Sequence, residues 1–576
     1  MQIQSRSYDL NSCDFPEQID PLLQRVYAAR GAKNQLGLDR HLSSLPSPQL
    51  MLGMPAAVKR LIDALHDNEH IVIVGDFDAD GATSSALMVL ALTAMGFKKV
   101  RFLVPNRFDY GYGLTPEIVD LAAQNKPQLI ITVDNGISSV EGVAHALTLG
   151  IEVIITDHHL PGRVLPNAVA IVNPNQPRCE FPTKNLAGVG VAFYLLSALR
   201  VELRHQNWFV EHNLIEPKMA AWLDLVALGT VADVVPLDQV NRVLVYQGLL
   251  RIRAGQSRPG IQALLRIAGK NPRRLASADL GFAIGPRLNA AGRLDDISLG
   301  IQCLLTDDHQ LAMQTAQELD QLNKDRRSIE QSMQREAMVE MDKLSFGSDE
   351  VLPAVLCLFH PDWHQGVVGL LASRLKEKYH RPVVAFARGD EGILKGSSRS
   401  IPGLHIRDAL DAVATRYPGL IDKFGGHAMA AGLSLSENKF EQFSEALQKY
   451  VEESLSEDDL AATLITDGSL ESNQLTMHTA ELLREAGPWG QQFSEPCFDG
   501  NFQLKQQRIV GENHLKLVLS HEAAPEMNID AIYFNIDTDV WPNNQAQRVR
   551  CVYRLDINEY RGQEKLQFLI QYMEVI

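Results

Sequence analysis

Cysteine is scarce in this sequence and is spread thinly along it. The 576 residues include six cysteines, at positions 13, 179, 303, 357, 497 and 551, and no two of them form a C-x-x-C pair. This spacing argues against zinc-ribbon and thioredoxin-like proteins, because both need closely paired thiols. Scattered free thiols are typical of a reducing compartment, so we expect a cytoplasmic protein.

Long apolar runs are missing as well. No run reaches the roughly 20 residues that a membrane helix needs. The N-terminus, MQIQSRSYDLNSCDF, lacks the charged-then-apolar pattern of a signal peptide. We therefore expect no association with a membrane. A chain of this length exceeds a single hydrophobic core, so the sequence predicts two to four domains.

Positive charge is in deficit. The formal net charge is −16, which by itself argues against a nucleic-acid partner. The charge is unevenly placed, because residues 251–274 carry seven basic side chains and no acidic one, whereas residues 451–460 are strongly acidic. The basic stretch is either a solvated surface or a track for phosphates, and the acidic stretch is typical of a linker.

Short Val- and Ile-rich runs recur in the first third of the chain. They are HIVIVGD (70–76), VRFLVP (100–105), QLIITVD (128–134), IEVIITD (151–157) and AVAIVNP (168–174). They lack the alternation of a half-exposed sheet, so they predict strands buried on both faces. With helix-like segments between them, they predict an α/β domain with a parallel sheet, in which ligands bind at the C-terminal ends of the strands.

Different patterns follow this sheet along the chain. Residues 307–344 predict one long polar helix with a narrow apolar stripe, typical of a connection between domains. Residues 350–450 predict a smaller α/β unit. Short alternating strands after about residue 465 predict a small β-barrel or sandwich, which either holds a single strand of nucleic acid or serves as a structural cap.

Acidic side chains and a histidine pair stand where several of these apolar runs end. The candidate ligands are Asp76, Asp78, Asp80, Asp134, Asp157, His158, His159 and Asp233. One such aspartate would be interpreted as a helix cap. Several at one sheet edge would repel each other unless a cation neutralises them. Oxygen-rich sites of this kind favour Mn²⁺ or Mg²⁺, and the number of ligands is sufficient for two ions.

Arginines in glycine- and serine-rich segments predict contacts with phosphates. The candidates are Arg107 in PNRFDYGYG, Arg287 and Arg293 in GPRLNAAGRLDD, Ser397 and Arg399 in KGSSRS, and His427 in GGHAMAAG. We expect these segments to be loops, where arginine offers paired donors and backbone amides approach an anion closely. For each arginine the alternative is an ordinary salt bridge. Trp363 in HPDWHQGVVG either stacks on a base or packs in a core.

The ordered motifs resemble a known superfamily. GDFDADG, VDNGIS, TDHHLPG and VADVVPL resemble the four motifs of the DHH phosphoesterases, and GGHAMAAG resembles the glycine-rich motif of the companion DHHA1 domain. PNRFDYGYG, LAGVGVAFY, GPRLNAAGRLDD and HPDWHQGVVG are similar to segments of the single-strand-specific exonucleases in that superfamily. The resemblance covers almost the entire chain.

This resemblance implies a division of the chain and a role for each motif. The implied domains are an N-terminal extension (1–65), a parallel-sheet DHH catalytic domain (66–306), a connecting helix (307–345), a smaller α/β DHHA1 domain (346–455) and an OB-like β-barrel (460–576). The implied metal ligands are Asp76, Asp78, Asp80, Asp134, His158 and Asp233, with Asp134 bridging two ions. His159 would contact the scissile phosphate, and Asp157 would orient a neighbouring ligand. Many DHH phosphatases carry a histidine where this chain has Val74, which leaves open which of the three clustered aspartates bind metal directly.

The implied activity is metal-dependent degradation of single-stranded DNA from the 5′ end to mononucleotides, in DNA repair and recombination. The implied partners are single-stranded DNA, a single-strand-binding protein and a helicase, and the protein is expected to be a monomer. Two alternatives remain at this point. One is a DHH-type phosphatase of small phosphoesters or short oligonucleotides, which the additional C-terminal domain disfavours. The other is a scaffold without activity, which the complete ligand set disfavours.

Overall fold

The computed structural model describes residues 2–104, 110, 113–343, 352–456, 459–538, 540–560 and 562–576. The chain forms two compact units. One comprises Gln4–Asp320 and Ile465–Ile576, and the other comprises Gln321–Leu464 together with the N-terminal end, Met1–Ile3. The C-terminal barrel therefore belongs to the same unit as the parallel sheet.

The strands are numbered along the chain. They are β1 Gln2–Ser5, β2 Ile71–Gly75, β3 Val100–Leu103, β4 Leu129–Val133, β5 Glu152–Thr156, β6 Ala170–Val172, β7 Leu356–Phe359, β8 Val383–Arg388, β9 Ile393–Arg399, β10 Lys423–Gly426, β11 Ala430–Ser436, β12 Thr463–Thr466, β13 Phe498–Val510, β14 His514–His521, β15 Ala524–Tyr533, β16 Arg548–Tyr560 and β17 Gln563–Val575.

The helices are numbered in the same way. They are α1 Pro21–Ala28, α2 Met54–His66, α3 Ala79–Ala94, α4 Pro116–Ala123, α5 Val140–Thr148, α6 Gly188–His205, α7 Trp208–Glu211, α8 Leu223–Ala232, α9 Gln239–Arg253, α10 Pro259–Ile267, α11 Ser277–Asp279, α12 Gly285–Leu294, α13 Ser298–Leu305, α14 His309–Lys343, α15 Val368–Tyr379, α16 Ile406–Arg416, α17 Phe440–Ser454 and α18 Met477–Ala486. A π-helical turn, Leu280–Ile284, joins α11 to α12. Within the described ranges, no helix is both long and apolar enough to cross a bilayer.

The predicted parallel sheet is confirmed. Its strand order is β3-β2-β4-β5-β6, and every neighbouring pair is parallel. All residues of β2 and β4 are buried, as the continuous apolar runs predicted. Helices α3, α6 and α8 pack against one another. These three helices and the C-terminal ends of the strands form the setting of the candidate site.

The second unit contains a smaller mixed sheet, as the sequence predicted for this part of the chain. Its strand order is β10-β11-β9-β8-β7, in which β7 and β8 are parallel and the other pairs antiparallel. Phe386 and Phe443 meet edge to face in its core, with ring centroids 5.6 Å apart. The segment KGSSRS, expected to be a loop, lies in strand β9, where its small residues pair with β8 and β11.

The C-terminal strands form the predicted β-barrel. The barrel is closed in the order β13-β14-β15-β17-β16. Tyr553 and Phe568 stack in its interior with ring centroids 4.0 Å apart. Val552, which breaks the alternation of β16, is buried beside Tyr553 because the pairing with β17 shifts register at that point.

The N-terminal extension fastens the barrel to the rest of its unit. Arg30 donates two hydrogen bonds to the carboxylate of Asp467, at 2.7 and 2.9 Å, and both side chains are at most 3% exposed. Tyr27 lies against Trp489 and Phe493, with ring centroids 6.1 and 6.2 Å away. Asp467 and Trp489 both precede the first barrel strand. The ion pair and the aromatic cluster therefore hold in place the segment that leads into the barrel.

We expect Arg30→Ala to loosen this attachment. Removing one partner of a buried ion pair leaves the other charge unpaired, which typically costs about 3–5 kcal/mol. Hydrogen-exchange mass spectrometry should show faster exchange in the segment that precedes β13 and a lower first thermal transition. The matched control is Lys59→Ala, which removes a pair with Asp63 whose side chains are 77% and 47% exposed, and it should change little. Equal effects of the two substitutions would contradict this account.

Candidate metal centre

Three neighbouring strands of the parallel sheet are each followed directly by an aspartate. Strands β2, β4 and β5 lie side by side with their C-terminal ends in register. The following residues are Asp76, Asp134 and Asp157, which are at most 8% exposed. Because parallel strands share one C-terminal edge, these carboxylates are crowded together where water screens them poorly.

Asp76, Asp78 and Asp134 form the first group of potential ligands. One carboxylate oxygen from each lies within 4.8 Å of the others. Asp78 caps helix α3, because its Oδ1 accepts hydrogen bonds from the amides of Asp80 and Gly81 at 2.9 and 3.1 Å. Asp134 adopts a left-handed backbone conformation, with φ 62°. Aspartate tolerates this conformation better than most residues do, so the turn that presents Asp134 is compatible with its side chain.

Asp80, His158 and Asp233 form the second group, with ligand atoms again within 4.8 Å of one another. Asp80 lies in the first turn of α3 and is fully buried. Its two oxygens accept hydrogen bonds from the amides of Gly188 and Val189, at 2.5 and 2.9 Å, at the start of α6. Asp233 directly follows α8. The group therefore depends on the packing of α3, α6 and α8.

The two groups adjoin each other at His158. Its Nε2 lies 3.0 Å from Oδ1 of Asp134 and 3.5 Å from Oδ2 of Asp233. All three atoms are buried, and none has a hydrogen-bond partner in the described part of the chain. Buried polar atoms without partners are rare in folded proteins. Three of them converging on one point are what a bound cation would complete, so the residues fit a site for divalent metal.

The pKa shifts within the cluster also indicate a site for a divalent cation. Burial, reinforced by neighbouring carboxylates, raises the pKa of Asp134 and of Asp233 well above the usual value, and it raises the pKa of Asp80 to about 7. Burial and the nearby His159 lower the pKa of His158, which favours the neutral imidazole that binds metals. A divalent cation would restore the ionised carboxylates, so metal binding and ionisation are coupled.

His159 and Asp157 form a separate pair beside these groups. The Nδ1 of His159 lies 2.7 Å from Oδ1 of Asp157, whose Oδ2 accepts a hydrogen bond from the amide of Ile137 at 2.8 Å. Burial alone would lower the pKa of His159, but the bond to Asp157 and nearby negative charge raise it to about 9. Burial alone would raise the pKa of Asp157, but His159 holds it below the usual value. Asp157 therefore orients His159.

Two asparagines that the sequence analysis did not assign hold the backbone of the histidine pair. The side-chain amide of Asn173 donates to the carbonyl of His159 at 2.9 Å, and that of Asn175 donates to the carbonyl of His158 at 2.6 Å. Both follow strand β6. The polar end of the run AVAIVNP was a usable signal, because it predicts side chains at the same sheet edge as the aspartates.

Two glycines that the sequence analysis also left without a role allow the helices to approach the carboxylates. A Cβ at Gly188 would lie 2.6 Å from the Cβ of Asp134. A Cβ at Gly229 would lie 2.9 Å from Oδ1 of Asp80. Any larger side chain at either position would displace a potential ligand. Gly188 lies in the quoted segment LAGVGVAFY, but nothing in its local sequence specifies which residue it faces.

Two predicted phosphate-binding arginines belong to the unit that contains the parallel sheet, and both lie on a helix and not in a loop. Arg287 and Arg293 are on α12, so the loop interpretation of GPRLNAAGRLDD is wrong. The guanidinium of Arg287 is buried and pairs with Asp320, with its Nε and Nη2 at 2.9 and 2.7 Å from Oδ1. Arg293 is half-buried. Arg107 lies outside the described residues.

The remaining predicted phosphate-binding residues belong to the second unit. Arg399, at the end of β9, is held by the hydroxyls of Ser373 and Ser397, each 3.1 Å away. Burial lowers the pKa of Arg399. Its described hydrogen-bond partners are neutral oxygens, so none of them is a carboxylate that would neutralise its charge. His427 is exposed in the turn between β10 and β11.

Two other sequence interpretations are settled by packing. Trp363 is 3% exposed, and its indole donates to Glu336 at 3.1 Å, so it packs in a core and does not stack on a base. The basic stretch 251–274 is mostly occupied by structural contacts. Arg258 pairs with an aspartate that precedes α14, and Arg274 pairs with two glutamates of the barrel.

Comparisons with known proteins agree with this architecture. Three family models match in order: the DHH family N-terminal domain over residues 70–230, the DHHA1 domain over 351–453 and the RecJ OB domain over 466–572. Across 99% of its length, the chain is 56% identical to the single-stranded-DNA-specific exonuclease RecJ of Salmonella typhimurium and 54% identical to that of Escherichia coli, covering 98% of each.

A solved structure shows the same fold. The crystal structure of RecJ in complex with Mn²⁺ from Thermus thermophilus superposes with a TM-score of 0.80 at 28% identity, over 100% of this chain and 79% of that one. A parallel sheet with a ligand cluster at its C-terminal edge, followed by a DHHA1 domain, defines a phosphoesterase of the DHH type. With full-length relatives at 54% and 56% identity, the chain belongs to the RecJ family.

We expect Mn²⁺ to stabilise the protein and Asp134→Asn to remove that effect. Asparagine fits the left-handed backbone of Asp134 but lacks the charge. The metal-free variant should melt at or above the temperature of the metal-free parent, because repulsion in the cluster is reduced. At a Mn²⁺ concentration of about 100 times its dissociation constant, the parent should gain about 2.7 kcal/mol. Differential scanning fluorimetry with Mn²⁺ or EDTA measures both effects.

The matched control for this experiment is Asp63→Asn. Asp63 is an exposed aspartate on α2 that pairs with Lys59. This variant should keep the full Mn²⁺-induced shift. A shift of the same size in Asp134→Asn would show that the cluster does not bind the ion.

Proposed function

We propose that this protein is a metal-dependent exonuclease that degrades single-stranded DNA in the 5′ to 3′ direction to mononucleotides, in DNA repair and recombination. The observation that carries the proposal is the pair of adjoining ligand groups, in which three buried ligand atoms have no hydrogen-bond partner among the residues that the structure describes. The relatives that share the whole chain are named single-stranded-DNA-specific exonucleases. The site supplies the chemistry and the relatives indicate the substrate.

The cofactors are divalent Mn²⁺ or Mg²⁺ ions. The donor set is oxygen-rich with one or two imidazoles, which these hard cations prefer over thiolate-rich sites. RecJ from Thermus thermophilus has been crystallised with each of the two ions. Asp76, Asp78 and Asp134 would hold one ion and Asp80, His158 and Asp233 the other, with Asp134 as the residue that would be shared between them. When bound, such ions polarise a phosphodiester and supply hydroxide at neutral pH.

His159 and Asp157 contribute through their own geometry. Asp157 fixes the imidazole of His159 through Nδ1. A ring nitrogen of His159 lies within 4.8 Å of ligand atoms of Asp134 and His158. An oriented imidazole at this distance could donate a hydrogen bond to an oxygen of a phosphate bound by the ions that these residues would hold. We assign His159 the role of contacting the scissile phosphate, and we assign Asp157 the role of orienting His159.

Arg399 is our candidate for binding a phosphate of the strand, together with Ser397 on the same β-strand and His427 in the turn between β10 and β11. Gly369 leaves room at the guanidinium, because a Cβ there would lie 2.9 Å from Nη2 of Arg399. A guanidinium held by hydroxyls, beside a position without a side chain, suits an incoming anion. Arg287 and Arg293 remain candidates on α12, and Arg107 remains a candidate from the sequence.

A labelled oligonucleotide tests the activity. The same strand is prepared single-stranded and as a blunt duplex, labelled at either end, and incubated with Mn²⁺, Mg²⁺ or chelator. We expect metal-dependent loss of the single strand alone, with a 5′ label released first as a mononucleotide. Cleavage of dinucleotides with no cleavage of long strands would favour a small-substrate phosphatase. Release of the 3′ label first would reverse the proposed polarity.

Substitution of Arg399 tests the proposed phosphate contact. Arg399→Ala should weaken binding of single-stranded DNA and lower the slope of log K against log salt by about 0.7 for one phosphate contact. Fluorescence anisotropy over a range of salt concentrations measures the slope. The control is Arg388→Ala on the neighbouring strand, which removes an exposed pair with Glu437 and should leave the slope unchanged. An unchanged slope in both variants would assign Arg399 a structural role only.

We propose the division into residues 1–65, 66–306, 307–345, 346–455 and 460–576 as the functional organisation of the chain. A monomer with a single-strand-binding protein and a helicase as partners remains our prediction from the sequence resemblance, and a cytoplasmic location remains our prediction from the scattered cysteines.

A further inference from the structure

Phe282 is the most exposed aromatic residue among the described phenylalanines, tyrosines and tryptophans. Its exposed fraction is 81%, whereas the next two, Phe534 and Tyr8, are 50% and 48% exposed. It lies in the π-helical turn Leu280–Ile284. Turns of this kind are rare and occur often at functional sites. An aromatic ring presented to solvent by such a turn is available to contact a ligand.

The other residues of the turn explain why Phe282 points outward. Leu280, Ala283 and Ile284 are at most 7% exposed and anchor the turn in the domain core. The wider helical turn thus presents Phe282 to solvent while its neighbours pack. The ring is on a rigid support and not on a loose loop.

The turn is fixed against the helix that ends at a potential metal ligand. It packs on α8. A Cβ at Gly281 would lie 3.2 Å from Val231, and one at Gly285 would lie 3.1 Å from the Cβ of Ala232. The next residue along the chain is Asp233. The backbone on both sides of Phe282 therefore approaches the last turn before this ligand.

Helix α12, which continues from the turn, is fixed to the other ligand segment. Asn289 accepts a hydrogen bond from the amide of Ala79 at 2.7 Å. The backbone of Gly292 lies so close to the carbonyl oxygen of Phe77 that a Cβ would be 1.7 Å from it. The position of Phe282 is thus set by contacts with the segments that carry Asp76, Asp78 and Asp233.

Two exposed apolar residues directly follow residues of the ligand cluster along the chain. Val234 directly follows Asp233 and is 63% exposed, and Leu160 directly follows His159 and is 61% exposed. Val234 has a φ of 62°, an uncommon conformation for a β-branched residue. Such strain persists where the surrounding structure requires it and is concentrated at functional sites.

We propose that Phe282, together with the apolar side chain of Val234, forms a stacking subsite for one nucleobase of the strand next to the bond that is cut. This inference rests on the proposed function. Unpaired bases present apolar π-faces, which an exposed aromatic ring binds without regard to sequence. Paired bases are stacked within a duplex and cannot offer a face to Phe282. The subsite would therefore help to select single strands.

The test measures the rate of the first cleavage on 5′-phosphorylated oligothymidylates in Mn²⁺. One abasic residue is placed in turn at each position near the 5′ end. For the parent protein, one position should slow cleavage by about 10-fold, the effect of one base–aromatic stack. The Phe282→Ala variant should cleave the intact strand more slowly than the parent by a similar factor. An abasic residue at that position should not slow the variant any further. Phe282→Trp should restore the rate and the positional effect.

The control variant is Ile215→Ala, which truncates a side chain that is 92% exposed, and it should behave as the parent. Melting temperatures and Mn²⁺-induced shifts of all variants should match, because Phe282 contributes little buried area. A parent enzyme that cleaves single strands while Phe282→Ala matches it at every position overturns the stacking subsite alone. A parent enzyme that cleaves no single strand overturns the proposed function itself.

Discussion

Mutual repulsion among buried carboxylates is the constraint on which the rest of this structure depends. The C-terminal edge of the parallel sheet gathers Asp76, Asp134 and Asp157, and the helices beside it add Asp80 and Asp233. Such a cluster is unfavourable unless each charge is compensated. The nearby glycines, the start of α6 and the positive φ of Asp134 can all be understood as ways of bringing donors or a cation to these charges.

The compensation differs from one carboxylate to the next, and this difference separates their roles. Asp157 accepts hydrogen bonds from three backbone amides and lies against His159, so the protein alone stabilises its ionised form. Asp134 and Asp233 each keep a buried oxygen that has no hydrogen-bond partner among the described residues. The first arrangement suits a residue that orients another, and the second suits a residue that binds a cation. Asp80 also accepts hydrogen bonds from two backbone amides and yet lies in a ligand group, so hydrogen bonding distinguishes Asp157 from Asp134 and Asp233 but does not by itself assign all of the carboxylates.

The regular parts of the molecule were predictable because their patterns are local. Continuous apolar runs that end in aspartate specified the parallel sheet and its functional edge, and alternation specified the barrel. Prediction failed where glycine and serine suggested loops. KGSSRS is a strand and GPRLNAAGRLDD is a helix, because their small residues serve close tertiary contacts, such as that of Gly292 with Phe77. The partners of Arg287 and the exposure of Phe282 depend on elements distant in sequence, which a local pattern does not encode.

The buried ion pair between Arg30 and Asp467 forms late during synthesis of the chain. These residues are separated by 437 positions in the chain. At about 5–20 residues per second, a ribosome needs roughly 20–90 s to travel between them. During that interval the N-terminal segment has emerged without its partner, and Tyr27 has no aromatic cluster to join. The parallel sheet can form early, but the barrel is attached only after translation is nearly complete. A chain that is truncated before Asp467 therefore lacks the partner that holds its N-terminal segment.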